Sequence, residues 1–317
     1  MKGEPAVADI LTSDQNSLRM VSTEVLTMTD MKRGTATLIT GSRASGPTPK
    51  YALGSTDAEH ERLIRQAAQL APYTERFFRE AGIGTGQRVL DLGSGVGDIA
   101  MLVAGIVGPS GEVVGVERDP RSLARATARV AEAGLRNVSF TQCDVSQIPC
   151  KKLFDAAVGR FILMFLPDPV AVLRSASCLV RPAGILAFYE PQWSPVLTLL
   201  EPLPLWFKTA SLIRDTFRRC EANTEMGLAL FRMFQEAGLP APRMHMEVLV
   251  GRDPEYARWF YDLVCSLLPR IQEFSLPVHA LGNLATLLER LQAELAASGS
   301  VVPLLAPVGV WSRKAQP

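Results

Sequence analysis

The chain has 317 residues, is 47% apolar and carries a net charge of +1. That composition can bury a sizeable core and excludes a disordered chain, while near-neutrality offers no electrostatic capture of nucleic acid or anionic lipid. The five cysteines form no CxxC pair and the three histidines lie far apart, so neither a zinc site nor a disulfide framework is expected, and reduced thiols in a cytoplasmic protein are. No apolar run approaches the roughly 18 residues of a membrane span, the stretch Val196 to Trp206 being broken by Glu201, Pro202 and Pro204. The first residues lack the basic-then-apolar order of a secretory signal.

Residues 1–50, rich in Ser, Thr, Gly and charge, are expected to form a flexible N-terminal extension or a partner-binding arm. From Thr56 to Ala81 the period becomes helical, with Leu63, Ile64, Ala67, Leu70 and Ala71 on one face and Pro72 separating two helices. Strands are then expected at Arg88–Leu92, Gly111–Glu117, Val138–Cys143, Phe154–Gly159 and Gly184–Tyr189, with helices at Ile99–Val107, Ser122–Ala133 and Pro169–Leu179 between them. Such alternation implies a doubly wound α/β domain with a mostly parallel sheet and right-handed crossovers. After Glu190 the rhythm breaks. Residues 193–239 and 253–297 read as helical, a sixth strand falls near 244–250 and a last one at Val308–Trp311.

The most informative segment is Val89-Leu90-Asp91-Leu92-Gly93-Ser94-Gly95-Val96-Gly97. An apolar strand enters a glycine turn whose backbone a ligand can approach closely. Glu117 ends the next strand, twenty residues after Gly97, where a carboxylate can accept hydrogen bonds from both hydroxyls of a ribose. The spacing is GxGxG rather than the dinucleotide GxGxxG. Asp91, two residues before the first glycine, would repel a pyrophosphate and help to hold a cation, directly or through water. S-adenosylmethionine, with its ammonium and sulfonium, fits those charges.

With these residues in place the chain resembles the class I S-adenosylmethionine-dependent methyltransferases, in particular the small-molecule enzymes that act on quinones and sterols. Asp91-Leu92-Gly93-Ser94-Gly95-Val96-Gly97 and Glu117 are similar to the family's first two motifs. Cys143-Asp144-Val145 matches the adenine-contacting position, Phe154 to Arg160 with Leu166-Pro167-Asp168-Pro169 the fourth motif, and Arg181-Pro182-Ala183-Gly184 the turn before the fifth strand, with Ala183 in place of a glycine. The resemblance covers residues 51–192 well. It implies a Rossmann-like, mostly parallel seven-stranded sheet with helical insertions over 193–307 acting as a substrate lid, the last strand of the core lying in 308–317. It also implies cofactor contacts from Asp91, Gly93, Ser94, Gly95, Gly97, Glu117, Arg118, Cys143, Asp144, Val145 and Arg160. In such proteins a helix before the sheet folds over the cofactor, which would put Tyr51 near the transferred methyl and Gln66 at the amino-acid end.

Methyl transfer needs chiefly alignment and exclusion of water, with a base only where the nucleophile must lose a proton. His60, Tyr51, Glu190 and His245 are the candidates, the first three being favoured by position. No metal-ligand spacing is present. The aromatics Trp193, Trp206, Phe207, Phe217, Trp259 and Phe260 suit an apolar substrate pocket or a helical core, and Arg214, Arg218, Arg219 and Arg232 an anionic group or a solvated face. The expected activity is therefore methylation of an O, N or C atom of a small, largely apolar metabolite, by a protein that could pair as a homodimer. The alternatives are an NAD-dependent oxidoreductase, which the spacing and the missing Tyr-x-x-x-Lys pair disfavour, and a catalytically silent cofactor binder.

Overall fold

The computed structural model describes residues 52–149 and 152–316; the expected 1–50 extension, Tyr51 and Cys150 lie outside the described residues. In chain order the elements are α1 (Asp57–Ala81), β1 (Arg88–Leu92), α2 (Asp98–Val107), β2 (Glu112–Glu117), α3 (Pro120–Glu132), β3 (Val138–Gln142), β4 (Phe154–Arg160), α4 (Pro169–Leu179) and β5 (Val180–Pro191). There follow α5 (Trp193–Leu200), α6 (Pro204–Arg219), α7 (Met226–Glu236), β6 (Arg243–Met246), β7 (Leu249–Gly251), α8 (Pro254–Glu273), α9 (Leu287–Ser298), β8 (Val302–Leu305) and β9 (Pro307–Arg313).

Seven strands form one sheet in the order β3-β2-β1-β4-β5-β9-β6. The first five are parallel, and β9 runs antiparallel to both β5 and β6. This is the expected Rossmann-like α/β fold. The chain winds outward from β1 to β3 and then restarts at β4 on the other side of β1, so the carboxyl end of β1 opens at the reversal. Ala156, Ala157 and Val158 of β4 and Ile185 to Glu190 of β5 are buried without a polar–apolar alternation, because helices cover both faces. Side-chain parity divides the core. Ile185, Ala187 and Tyr189 pack with Phe77 and Phe78 of α1 and Val103 of α2, whereas Leu186 and Phe188 pack with Leu173 of α4 and Phe234 of α7.

Three local expectations are corrected. First, Pro72 does not divide the first helix: α1 runs unbroken for 25 residues from a Thr56 cap to a left-handed Gly82. Proline in a helix interior costs about 3 kcal/mol; here buried Leu70 and Thr74 flank it and buried Phe77 and Phe78 follow, so packing on both sides outweighs the lost bond. Second, the sixth strand is two strands. β6 follows β9 as far as Met246 opposite Val308, and β7 then pairs with β8 from Leu249 opposite Leu305. The ribbon bends between the two sheets where Ala306 accepts from the Gln192 amide at the end of β5. Third, 253–297 is not one helical run. α8 ends at Glu273, and two short 3-10 turns, Val278–Leu281 and Leu284–Thr286, precede α9.

The inserted aromatics mostly pack on one another, with Phe260 5.2 Å from Trp206 and 5.0 Å from Trp259 between ring centres. Among the described residues no helix is long and apolar enough to cross a membrane.

Pro72 is exposed, so Pro72→Ala should restore an N–H to the helix without disturbing the core. Chemical denaturation is expected to show a gain of about 1–2 kcal/mol, the helix penalty less the proline's stiffening of the unfolded chain. A loss would mean that the ring itself contributes to packing.

Candidate active site

The carboxyl end of β1 turns through Gly93, Gly95 and Gly97, all left-handed at φ +66°, +51° and +88°. Each is small for a different reason. A Cβ on Gly93 would lie 2.5 Å from Ile162 Cδ1, and one on Gly97, the N-cap of α2, 3.1 Å from the Phe140 ring; a Cβ on Gly95 would meet nothing within 4 Å. Gly95 thus presents bare backbone to open space. Its N–H donates to Glu117 Oε2 at 3.0 Å, while the Asp119 N–H donates to Oε1 at 2.8 Å. Glu117 is therefore oriented by the loop it faces, with lone pairs left over for a ligand.

Asp91 points to the same face of the sheet. It is 1% exposed and its Oδ2 has no hydrogen-bond partner. Burial drives its pKa well above the usual carboxylate range, the Arg160 charge and the Ala100 amide opposing this and Asp98 and Glu117 adding to it. Arg160, at the end of β4, donates to Thr74 Oγ1 of α1 at 3.0 Å; burial lowers its pKa while Asp98 and Asp91 hold it up. Ser94 is buried with an unpartnered Oγ. Asp91 and Glu117 thus stand at adjacent strand ends, as required for the two to serve one ligand.

The third strand end is more open. Exposed Asp144 accepts through Oδ1 from the Ser146 hydroxyl at 2.7 Å and amide at 2.9 Å, bonds that hold its pKa down against burial. The Cys143 amide donates to the Glu117 carbonyl at 3.1 Å; burial pushes its thiol up. Val145 is buried and Arg118 exposed.

α1 covers this end of the sheet through polar side chains. Buried His60 Nε2 lies 3.2 Å from Ser122 Oγ of α3. Arg62 forks onto Glu59 at 2.8 and 2.7 Å and donates to Gln66 Oε1 at 2.7 Å, an oxygen that also accepts from Trp259 Nε1 of α8 at 3.2 Å. The expected apolar stripe is correspondingly rotated: Leu63 and Ile64 are half-buried, whereas Glu59, Arg62 and Gln66 are buried. Trp259, expected in an apolar pocket or a helical core, also donates to α1; the burial of Arg62 is not legible in the sequence because charge on a helix ordinarily marks its wet side.

Glu190 does not open into this cleft. Its carboxylate is fully buried and accepts from the amides of Ile162, Leu163 and Met164 at 3.0, 2.9 and 3.3 Å. His245 lies on β6 at ion-pair distance from Glu80 and Glu247, against the Phe77 and Trp311 rings. Arg214 pairs with Asp215 and Arg232 with Glu236, so these two arginines are engaged by their own helices. A cavity of about 240 Å³ lies elsewhere, on the opposite sheet face among Val114, Val116, Ser139, Thr141, Ile148 and Phe154.

Known proteins resemble this chain in sequence and fold. A family model described as a methyltransferase domain matches residues 83–238. Aklanonic acid methyltransferase DauC of a Streptomyces species is 34% identical over 41% of this chain and 66% of its own. The ubiquinone/menaquinone biosynthesis C-methyltransferase UbiE of Coxiella burnetii is 35% identical over 35% of this chain and 47% of its own. The chain thus spans between about half and just under two thirds of these relatives' lengths. In fold it is similar to YcgJ of Bacillus subtilis, with a TM-score of 0.52 at 15% identity, covering 79% of this chain and 100% of that one.

Two outcomes follow. Gly93→Ala should destabilise the protein by about 2 kcal/mol or more, through positive φ and collision with Ile162, and Gly95→Ala by only about 1 kcal/mol, through φ alone; equal midpoint shifts in thermal unfolding would contradict the packing. Burial raises the Glu190 pKa to about 7 against the three amides. Since the folded value exceeds the usual 4.5, the folded state holds the extra proton between about pH 4.5 and 7, and stability falls as pH rises through that window. Glu190→Gln should flatten this slope in denaturation at pH 5, 6 and 7.

Proposed function

We propose that the chain, which belongs to the class I S-adenosylmethionine-dependent methyltransferases through its domain at 83–238, methylates an O, N or C atom of a small, largely apolar metabolite. One observation supports the cofactor's place above all: the unpartnered, buried Asp91 Oδ2 beside the open backbone of Gly95 and the loop-bound Glu117 carboxylate. Two carboxylates there suit a cationic nucleoside and would repel a pyrophosphate, which counts against the nicotinamide alternative. When bound, S-adenosylmethionine supplies a methyl group on positively charged sulfur.

Each residue's part follows from its chemistry. Glu117 is proposed to accept from the ribose hydroxyls, and Asp144, with Cys143 and Val145 beside it, to border the adenine. Gly93, Ser94, Gly95 and Gly97 shape the backbone at the cofactor's amino-acid portion, with Asp91 below. Arg160 favours the ionised form of Asp91 against its burial, Arg118 borders the ribose end, and Gln66 closes the cover from α1. His60 and Tyr51 are the proposed proton acceptors where the nucleophile carries a proton. The buried aromatics of α5, α6 and α8 support an apolar substrate on the side where the insertions meet the strand ends.

The unpaired Cys143, Cys178, Cys220 and Cys265 support a reducing, cytoplasmic setting, and the open edge of β6 is where a second copy would add to the sheet. A net charge of +1 supports a partner other than nucleic acid.

Isothermal titration with S-adenosylmethionine, S-adenosylhomocysteine and NAD should show binding of the first two alone. Glu117→Ala should weaken that binding by about 1–3 kcal/mol, the cost of leaving polar groups unpaired. Uptake of NAD in preference, or unchanged affinity in the variant, would refute the assignment.

A further inference from the structure

Glu190 invites a base role by position, yet its bonds describe another one. By strand parity its side chain turns with Leu186 and Phe188 towards α4 and α7, while Asp91 and Glu117 turn to the opposite face. α7 closes over the Glu190 backbone, where a Cβ on Gly227 would lie 3.3 Å from the Glu190 carbonyl oxygen. The Met164 carbonyl accepts from the Asn223 amide at 2.8 Å, so the segment that Glu190 holds is pinned from both ends.

That segment is the 3-10 turn Leu163–Phe165. Its leading amides have no partner within the turn, and Glu190 satisfies three of them. Just before it, Phe161 takes a left-handed φ of +53°, a conformation an ordinary residue keeps only when its surroundings enforce it. The Phe161 amide is bonded to the Tyr189 carbonyl at 3.0 Å, so one edge of β5 fixes both sides of the reversal. The outcome is the placement of Ile162, whose side chain fills the space that a Cβ would need at Gly93, at 2.5 Å, and at Gly159, at 2.9 Å. Ile162 thus bears directly on the first glycine of the cofactor loop.

We propose that Glu190 is a positioning residue rather than the proton acceptor: by gathering the amides of 162–164 it presses Ile162 onto Gly93 and fixes the loop that receives the cofactor. The proposal rests on the cofactor site argued above, and its test begins without a ligand. The amides of Ser94, Gly95 and Gly97 are all hydrogen-bonded, to the Val116 carbonyl, Glu117 and the Ser94 carbonyl, so their hydrogen exchange reports the loop's order in the free protein.

Glu190→Gln keeps an oxygen for Ile162 and Leu163 but sets an NH2 against the Met164 amide, whereas Glu190→Ala frees all three. Exchange should therefore quicken at 162–164 and also at 93–97, more in Glu190→Ala than in Glu190→Gln. Affinity for S-adenosylhomocysteine should fall in the same order, by about tenfold in Glu190→Ala. Ile162→Ala should weaken binding as well, and combining it with Glu190→Gln should add little, because both act through one contact. The proposal is overturned if exchange at 93–97 stays at the wild-type rate, if exchange rises alike through all the strands, or if the two loop variants add in full. It is equally overturned if Gln and Ala both abolish turnover with affinity intact, the pattern of a base. Failure of the wild-type protein to bind S-adenosylhomocysteine would instead refute the cofactor reading, and the exchange comparison would still decide the role of Glu190.

Discussion

A carboxylate almost sealed from water must be compensated by its neighbours, and Asp91 draws that compensation from several elements at once. The Ala100 amide at the start of α2 and the Arg160 charge at the end of β4 favour its ionised form. Arg160 is half-buried in turn and donates to Thr74 of α1. One side chain on β1 thereby constrains where α2 begins, where β4 ends and how α1 crosses them. The sheet order makes this convergence possible, because the reversal beside β1 places β2 on one side of it and β4 on the other. The last oxygen of Asp91 has no protein hydrogen-bond partner, and the proposed cofactor contact rests on that oxygen.

Glu117 completes the arrangement differently. Its oxygens accept from Gly95 and Asp119, so it sets the glycine loop while remaining able to accept more bonds. A carboxylate fixed in this way loses less side-chain freedom when a ligand arrives than one free in solvent. The three glycines divide the labour: Gly93 yields to Ile162, Gly97 to Phe140 and Ala126, and Gly95 faces open space.

Much of this was legible because it is local. Asp91, the glycines, Glu117 and Asp144 all sit within a few residues of a strand end, where an apolar run followed by glycine or an acid has few structural meanings. What escaped depends on distant chain. Glu59 and Arg62 look like the solvent side of α1, and their burial follows from distant chain such as Trp259, some two hundred residues later, which bonds Gln66 beside them. Pro72 reads as a break because its local cost is evident, whereas the packing that outweighs it comes from other elements. Glu190 looked like a cleft residue because strand ends face the cleft; its three amides belong to a turn that has no periodic signature. The bend between β6 and β7 is set by Ala306, on the far side of the α8–α9 insertion.

The covering helix is held unevenly along its length. Its second half is anchored by Phe77, Phe78 and Ala81, all buried in the core that α1 shares with α2 and the central strands. Its first half reaches α3 through His60 to Ser122, Asp57 to Arg121 and Glu61 to Arg125, and reaches α8 through Arg65 to Asp262 and Gln66 to Trp259. Exposed ion pairs contribute at most about 1 kcal/mol each, and water can take the place of most of these polar partners at small net cost. The helices of the insertion also pack on one another, Phe260 of α8 meeting Trp206 of α6 edge to face within the larger apolar core. The first half of α1 thus meets α3 and α8 largely through polar pairs, with Leu70 buried in the apolar core beside them, while Phe77 and Phe78 seat its other half on the sheet.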